Sequence, residues 1–393
     1  VIKVKKIGLF AVTLVTAFFL FSNLINKNKS ILSDEKEIRG VFISYIEYMK
    51  YFQNKDKEII KVEIENMIKT VKKYHFNTIY LQVRPFSDSI YDSNIFPFTH
   101  TISGIQGKKI DLDVLEYFLN IAHQNNLKVH AWINPYRISN ETDTSFLSTS
   151  NPAYSLLSTN DVKVIEGKGI YYNPASSKVK ELIINGVKEI VINYDIDAIM
   201  LDDYFYPDDT IDLENYKEVE NTISLTDFRL SQTNELIFSI YKEIKKIKPN
   251  VLLGISPDGN LENNYDTHYI DVKTWLKEEN YIDYIMPQIY YGFLNEKKPF
   301  IQTVNEWNNL IKNNTKLVVA LSLYKAGNLD KYAGSGIEEW ILSNDIIKKQ
   351  IQVVRNLSNY NGFSIFRYDY FSNDANNKIL KEEIKNYCML LEK

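Results

Sequence analysis

From residue 38 onward the chain alternates without interruption between short apolar runs of strand length and longer segments whose apolar residues recur at helical spacing. Ile38–Tyr45, Phe76–Arg84, Leu127–Asn134, Asp197–Asp203, Val251–Pro257, Tyr281–Tyr291, Lys316–Tyr324 and Gly362–Tyr370 read as eight strands. Each is followed by a helical pattern; in Asp56–Tyr74, for example, Ile60, Ile64, Met67, Ile68 and Val71 share one face. Eight strand–helix units in series predict an α/β chain closed as a (β/α)8 TIM barrel over residues 38–391. The open doubly wound sheet has fewer strands and a glycine-rich first turn, and no G-x-G-x-x-G or P-loop pattern is present. Links from helix to strand are short, whereas the strand-to-helix links 85–111, 135–176 and 204–230 are long. Long loops in a compact domain usually carry function, and these all fall on the C-terminal end of the barrel.

The strand ends carry the chemistry. Asp197–Pro207 reads Asp-Ala-Ile-Met-Leu-Asp-Asp-Tyr-Phe-Tyr-Pro, a buried apolar run that stops in two adjacent carboxylates. A helix cap or turn would account for one Asp. Acids at the end of a buried strand cost free energy unless solvated or paired, which points to use. Strand alternation predicts that Asp202 and Asp203 diverge, one towards the barrel axis and one away. Other strand ends supply Gln82, Arg84 and nearby Asp88, then His130, Trp132, Asn134, Tyr136 and Arg137, then Tyr204 and Tyr206. Later ones supply Ser256 and Asp258, Gln288, Tyr290 and Tyr291, Tyr324 and Lys325, and Arg367 and Asp369.

Carboxylates, amides and aromatic rings around one cleft suit a sugar, and glycoside cleavage needs two carboxyl groups. The candidate catalytic residues are Asp202, Asp203 and Asp258. Because Asp202 and Asp203 diverge they are not expected to form the acid/base pair, so the second carboxyl is sought at another strand end, Asp258 first, then Asp88, with Asp369 and Glu262 behind. Asp203 reads as a neighbour that binds substrate or tunes charge. The candidate substrate-binding residues are Arg84, Asp88, His130, Trp132, Asn134, Tyr136, Tyr206, Gln288, Tyr290 and Arg367. Arg84 reads equally as an ion-pair partner of Asp202 or Asp203, and His130 as a hydrogen-bonded core residue. Lys325 could form a Schiff base, but its place past the strand end favours surface exposure. The five His show no H-x-H or HExxH spacing, His75 and His123 read as structural, and no metal or cofactor is expected.

Composition narrows the class. Apolar residues make up 45% and net charge is −4, so the chain is globular and has no electrostatic case for nucleic acid. Lys3, Lys5 and Lys6 precede an apolar run from Ile7 to Leu24, so residues 1–30 read as a signal peptide or N-terminal membrane anchor that leaves the bulk outside the cytoplasm. No Cys closes that run, which argues against a lipoprotein, and the lone Cys388 leaves no intramolecular disulfide. An exported chain without disulfides fits the surface of a Gram-positive bacterium.

Taken together, Arg39-Gly40-Val41, Gln82-Val83-Arg84-Pro85 with Asp88 and Tyr91, His130-Ala131-Trp132-Ile133-Asn134-Pro135-Tyr136-Arg137, Asp202-Asp203-Tyr204-Phe205-Tyr206-Pro207, Gly254-Ile255-Ser256-Pro257 and Pro287-Gln288-Ile289-Tyr290 form a pattern. It resembles that of the glycosyl-hydrolase-like family 10 (family 10 glycosidase-like) proteins. The resemblance implies a (β/α)8 glycoside hydrolase without a required metal, acting on a polysaccharide such as bacterial cell-envelope glycan, peptide-stripped peptidoglycan strands included. Asp197–Asp202 is also similar to the fourth-strand motif of the α-amylase superfamily, whose final Asp is the nucleophile, which implies that role for Asp202. The chain departs from that motif in having Met200 where the superfamily has Arg, and Asp258-Gly259-Asn260 stands where the family 10 pattern has Phe-Gly-Ile. Asp258 therefore rests on its position alone. The rival expectation is a catalytically inactive, lectin-like barrel that binds surface glycan; another is a barrel lyase or transglycosylase.

Overall fold

The computed structural model describes residues 37–372 and 377–392, so the expected leader at 1–30 lies outside the described residues. Eight parallel strands close into a barrel: β1 (Ile38–Ile43), β2 (Thr78–Arg84), β3 (Lys128–Ile133), β7 (Ala198–Leu201), β8 (Leu252–Ile255), β9 (Tyr284–Ile285), β10 (Lys316–Ser322) and β11 (Tyr360–Phe366), with β11 pairing back onto β1. The expected barrel is thus present, although β9 keeps only two residues of the predicted Tyr281–Tyr291 strand. Among the described residues no helix is long and apolar enough to cross a membrane.

Strand alternation divides the core in two. Val41, Ile79, Val129, Ile199, Leu253 and Val319 point outward into a shell shared with the apolar faces of the helices. Phe42, Tyr80, Trp132, Met200, Tyr284 and Met286 point inward and fill the barrel axis. Side chains therefore plug the barrel, and a ligand can enter only from a rim. Gly254 makes room for that plug: a Cβ there would meet Cζ of Tyr284 at 1.9 Å.

Two elements on the functional rim were not foreseen. A helix, Tyr45–Tyr51, starts directly after β1, fixed by a capping box in which Glu47 Oε2 accepts from the Ser44 backbone N–H at 2.8 Å. The 135–176 loop folds into an antiparallel sheet of β4 (Arg137–Ser139), β5 (Val162–Ile165) and β6 (Gly169–Tyr172), in the order β4-β6-β5.

Candidate active site

β7 ends at Leu201, so the two acids that follow are no longer bound by strand alternation. Contrary to the expected divergence, Asp202 and Asp203 line one cleft of about 210 Å³ at the C-terminal end of the barrel. Phe42, Ser44, Tyr45, Ile46, Gln82, Trp132, Arg137, Tyr204, Ser256, Gln288, Tyr290 and Phe366 complete its walls. A neighbouring cavity of about 780 Å³ shares Asp203, Gln288 and Tyr290 and extends to Asp258, Tyr291, Lys325 and Asp330.

Asp202 is buried and its position is fixed. The Trp132 indole N–H and the Asn134 amide donate to its Oδ2 at 3.0 and 3.1 Å, and the Tyr204 backbone N–H donates to Oδ1 at 3.3 Å. All three partners are N–H donors, which favour the ionised carboxylate. Asp203 is half-buried, with Gln288 favouring its ionised form. Burial raises both carboxyls above their ordinary range, to about 7 at Asp202 and about 6 at Asp203. Asp203 pushes Asp202 up further, Asp258 does the same to Asp203, and Arg137 lowers both. Because neighbouring carboxyls repel, the protons leave the pair in joint steps. Near neutral pH the pair can therefore hold one proton and one charge, the state that acid/base chemistry requires.

Arg137 comes from β4, outside the barrel. Its guanidinium donates twice to the Pro85 carbonyl, at 3.2 and 3.1 Å, and lies over the rings of Phe86, Tyr204 and Tyr45 at 4.9, 5.2 and 5.7 Å. It was visible in the sequence as a strand-end residue but not singled out. Ser44, Tyr45 and Phe366 gave no signal beyond lying near strand ends.

Several sequence candidates sit elsewhere. Arg84 is turned outward by a bulge: Gln82 pairs with Trp132 but Arg84 pairs with Ile133, so the extra residue flips its face. Its guanidinium lies over Phe96 at 4.4 Å, close to Gly186 of the helix Ser177–Asn193, and reaches neither acid nor cleft. Asp88 is fully buried beneath a loop, where Oδ2 meets His100 Nδ1 at 2.9 Å. His130 belongs to the barrel plug, bonded to the Tyr284 hydroxyl at 2.9 Å, and burial lowers its pKa to about 3, so it is neutral and below the cleft. Tyr136 packs in the outer core against Phe205, and Tyr206 packs against Tyr269. Past a strand end, an aromatic residue turns to whichever apolar surface is adjacent. Arg367 pairs with Glu47 at 3.3 Å and Asp369 at 3.6 Å, and so braces the helix after β1. Asp369 also accepts from Lys50 and Tyr51 at 2.7 and 2.8 Å.

Trp132, Asn134, Gln288 and Tyr290 do converge on the acids. Asp258 faces the larger cavity, but Oδ1 accepts from Asn260 N at 2.7 Å and Oδ2 from the Asn263 amide at 3.0 Å, the posture of a loop-fixing residue. Glu262 on the same wall pairs with Lys298 at 2.9 Å. Lys325 is held, not exposed, by the Tyr290 carbonyl at 2.6 Å and Asp330 at 2.7 Å. His123 ties the helix Val114–Gln124 to Asp197 at 3.1 Å.

Comparison with known proteins follows the same lines. The family model described as glycosyl hydrolase-like 10 matches residues 37–333. Glycosyl hydrolase YngK of Bacillus subtilis is 30% identical over 378 residues, covering 89% of this chain and 72% of that protein. Glycosyl hydrolase DigH of Escherichia coli K12 is 29% identical over 330 residues, covering 77% of this chain and 74% of that protein. Among solved structures, the endo-1,4-beta-mannanase of Rhizomucor miehei superposes with a TM-score of 0.55 at 12% identity, over 92% of this chain and 97% of that one, which speaks to the fold alone.

Proposed function

The chain belongs to the glycosyl hydrolase-like 10 family, and from that premise we propose that it hydrolyses O-glycosidic bonds of a cell-envelope or extracellular polysaccharide, with peptidoglycan glycan strands as the leading substrate. The observation that carries the reading is the pair Asp202 and Asp203 in one aromatic-walled cleft, both raised towards neutral pH. Of the two ways to share one proton, the three N–H donors favour the charge on Asp202 even though its carboxyl is raised further than that of Asp203. Asp202 then acts as nucleophile at the anomeric carbon or as the base that takes a proton from the attacking water. Asp203 carries the pair's proton and gives it to the leaving oxygen, so the C–O bond breaks as an O–H bond forms. After burial, repulsion from Asp258 raises the Asp203 carboxyl and so favours its protonated form, and Asp258 touches no reacting atom in this scheme. Trp132, Tyr204 and Tyr290 offer ring faces to the sugar, and Gln288 offers its amide to a hydroxyl. The basic and apolar character of residues 1–30 supports export, with action at the outer face of a Gram-positive membrane or wall.

The test is release of reducing ends from a glycan panel that includes peptide-stripped peptidoglycan, with Asp202→Asn, Asp203→Asn and Asp258→Asn beside the parent. The first two should lose at least about a hundredfold in kcat, the lower range for acid/base groups, while Asp258→Asn keeps most of its activity. Glycan binding without release of ends by the parent would replace hydrolysis with the lectin-like reading.

A further inference from the structure

The same barrel end carries another concavity, of about 610 Å³, that the scheme above leaves unused. It lies over the loops that follow β1, β2 and β3, with Tyr45, Phe86, His100 and Phe146 supplying ring surface and Asn140 exposed at its rim. Its wall is continuous with the catalytic cleft. Tyr45 lines both, and the Arg137 guanidinium lies against both Tyr45 and Phe86.

It also contains a fixed polar group. Asp88 is fully buried and binds His100 Nδ1 at 2.9 Å, with Gln106 donating to the same carboxylate oxygen at 3.3 Å. The imidazole is flanked by Phe86 and Phe146 at 5.4 and 6.1 Å between ring centroids. With Nδ1 committed to a carboxylate, Nε2 is the nitrogen presented to a ligand, and its orientation is set from behind. A rigid polar group among aromatic faces is the usual build of a small-molecule site.

We propose that this cavity is a distal sugar subsite, occupied by a pyranose ring of the same glycan strand whose scissile bond lies over Asp202 and Asp203. The proposal rests on the glycosidase reading. Aromatic faces meet the C–H face of the ring, and His100 Nε2 and the Asn140 amide meet its hydroxyls. The cavity of about 780 Å³ lies over the loops after β8, β9 and β10, on the opposite arc of the barrel. The small cleft shares Tyr45 with one hollow and Asp203, Gln288 and Tyr290 with the other, so the acid pair lies between them, and a strand spanning all three would be cut internally and not trimmed from an end.

The experiment measures kcat/KM of the full chain on a ladder of oligosaccharides prepared from the polymer it cleaves. Phe146 is partly exposed, so Phe146→Ala should fold; His100→Gln is the second variant. In the parent, kcat/KM should climb with chain length, and early products should be mid-sized fragments. Each variant should flatten that climb by roughly five- to tenfold at the longest lengths, the size of one lost anchoring contact. An unchanged length dependence in both variants, or an equal loss at every length, overturns the subsite. If the parent cleaves nothing, calorimetric binding of the same ladder decides. Weaker binding of long oligosaccharides alone by the variants keeps the subsite while the hydrolase reading falls; equal binding by parent and variants removes the subsite.

Discussion

Trp132→Phe isolates one hydrogen bond. The substitution keeps most of the ring that fills the top of the barrel and removes the indole N–H, which donates to Asp202 at 3.0 Å. A hydrogen bond to a charged group contributes roughly 1.5–3 kcal/mol, and the donors from Asn134 and Tyr204 remain, so the lower value applies. At about 1.4 kcal/mol per pKa unit, the carboxylate loses about one unit of stabilisation relative to its protonated form. The sign is upward: without the donor, Asp202 holds its proton to higher pH. The acid limb of the kcat/KM profile, which reports the free enzyme's essential base, should therefore move up by about one unit. Below the limb activity falls about tenfold, and well above it activity returns. Carbon-detected NMR titration of the Asp carboxyl groups gives the same shift without turnover. A limb that stays in place, or an equal loss at every pH, would refute the assignment of Asp202 as the ionised partner held by Trp132.

Two further outcomes follow from the same geometry. The Asp203 carboxyl is raised from its ordinary value near 3.8, so its ionisation is harder in the folded chain than in the unfolded one. That penalty is absent below the ordinary value and complete above the raised one, so Asp203→Asn should stabilise the protein at pH 8 by about 1 kcal/mol, after allowance for its half-exposure, and have little effect at pH 4. Thermal midpoints at the two pH values check this; equal shifts at both would contradict it. Gly254→Ala would place a methyl carbon 1.9 Å from Cζ of Tyr284, which is buried and tied to His130, so the plug cannot yield cheaply. A loss of at least about 1–3 kcal/mol in denaturant unfolding is expected, and an unchanged midpoint would mean that the barrel axis is softer than its packing indicates.

The fold was legible because buried strands and helix faces leave periodic signatures, and because the long loops sit consistently on one end. Residues within a strand were also legible: Trp132 faces inward as alternation requires. Reading failed where alternation stops. Asp203 lies past the end of β7, so its direction follows loop geometry and not strand parity. Arg84 follows a single-residue bulge, and one extra residue exchanges the two faces of a strand. Tyr136 and Tyr206 carry the right chemistry for a sugar but turn into apolar packing, which is as favourable to a ring as a ligand is. The sheet β4-β6-β5 is built from strands of three and four residues, too short for a periodic signal.

That small sheet has a consequence for how such a protein can diverge. Arg137, the cation that lowers both acids, is carried by the insert after β3 and not by a barrel strand. Acid strength and catalytic framework are therefore separable traits: exchanging the 135–176 segment for another would leave Asp202 and Asp203 in place just past the end of β7 while resetting the pH at which they work. A lineage could adapt to a more acidic or more alkaline surface by swapping a surface module, without altering a residue of the barrel.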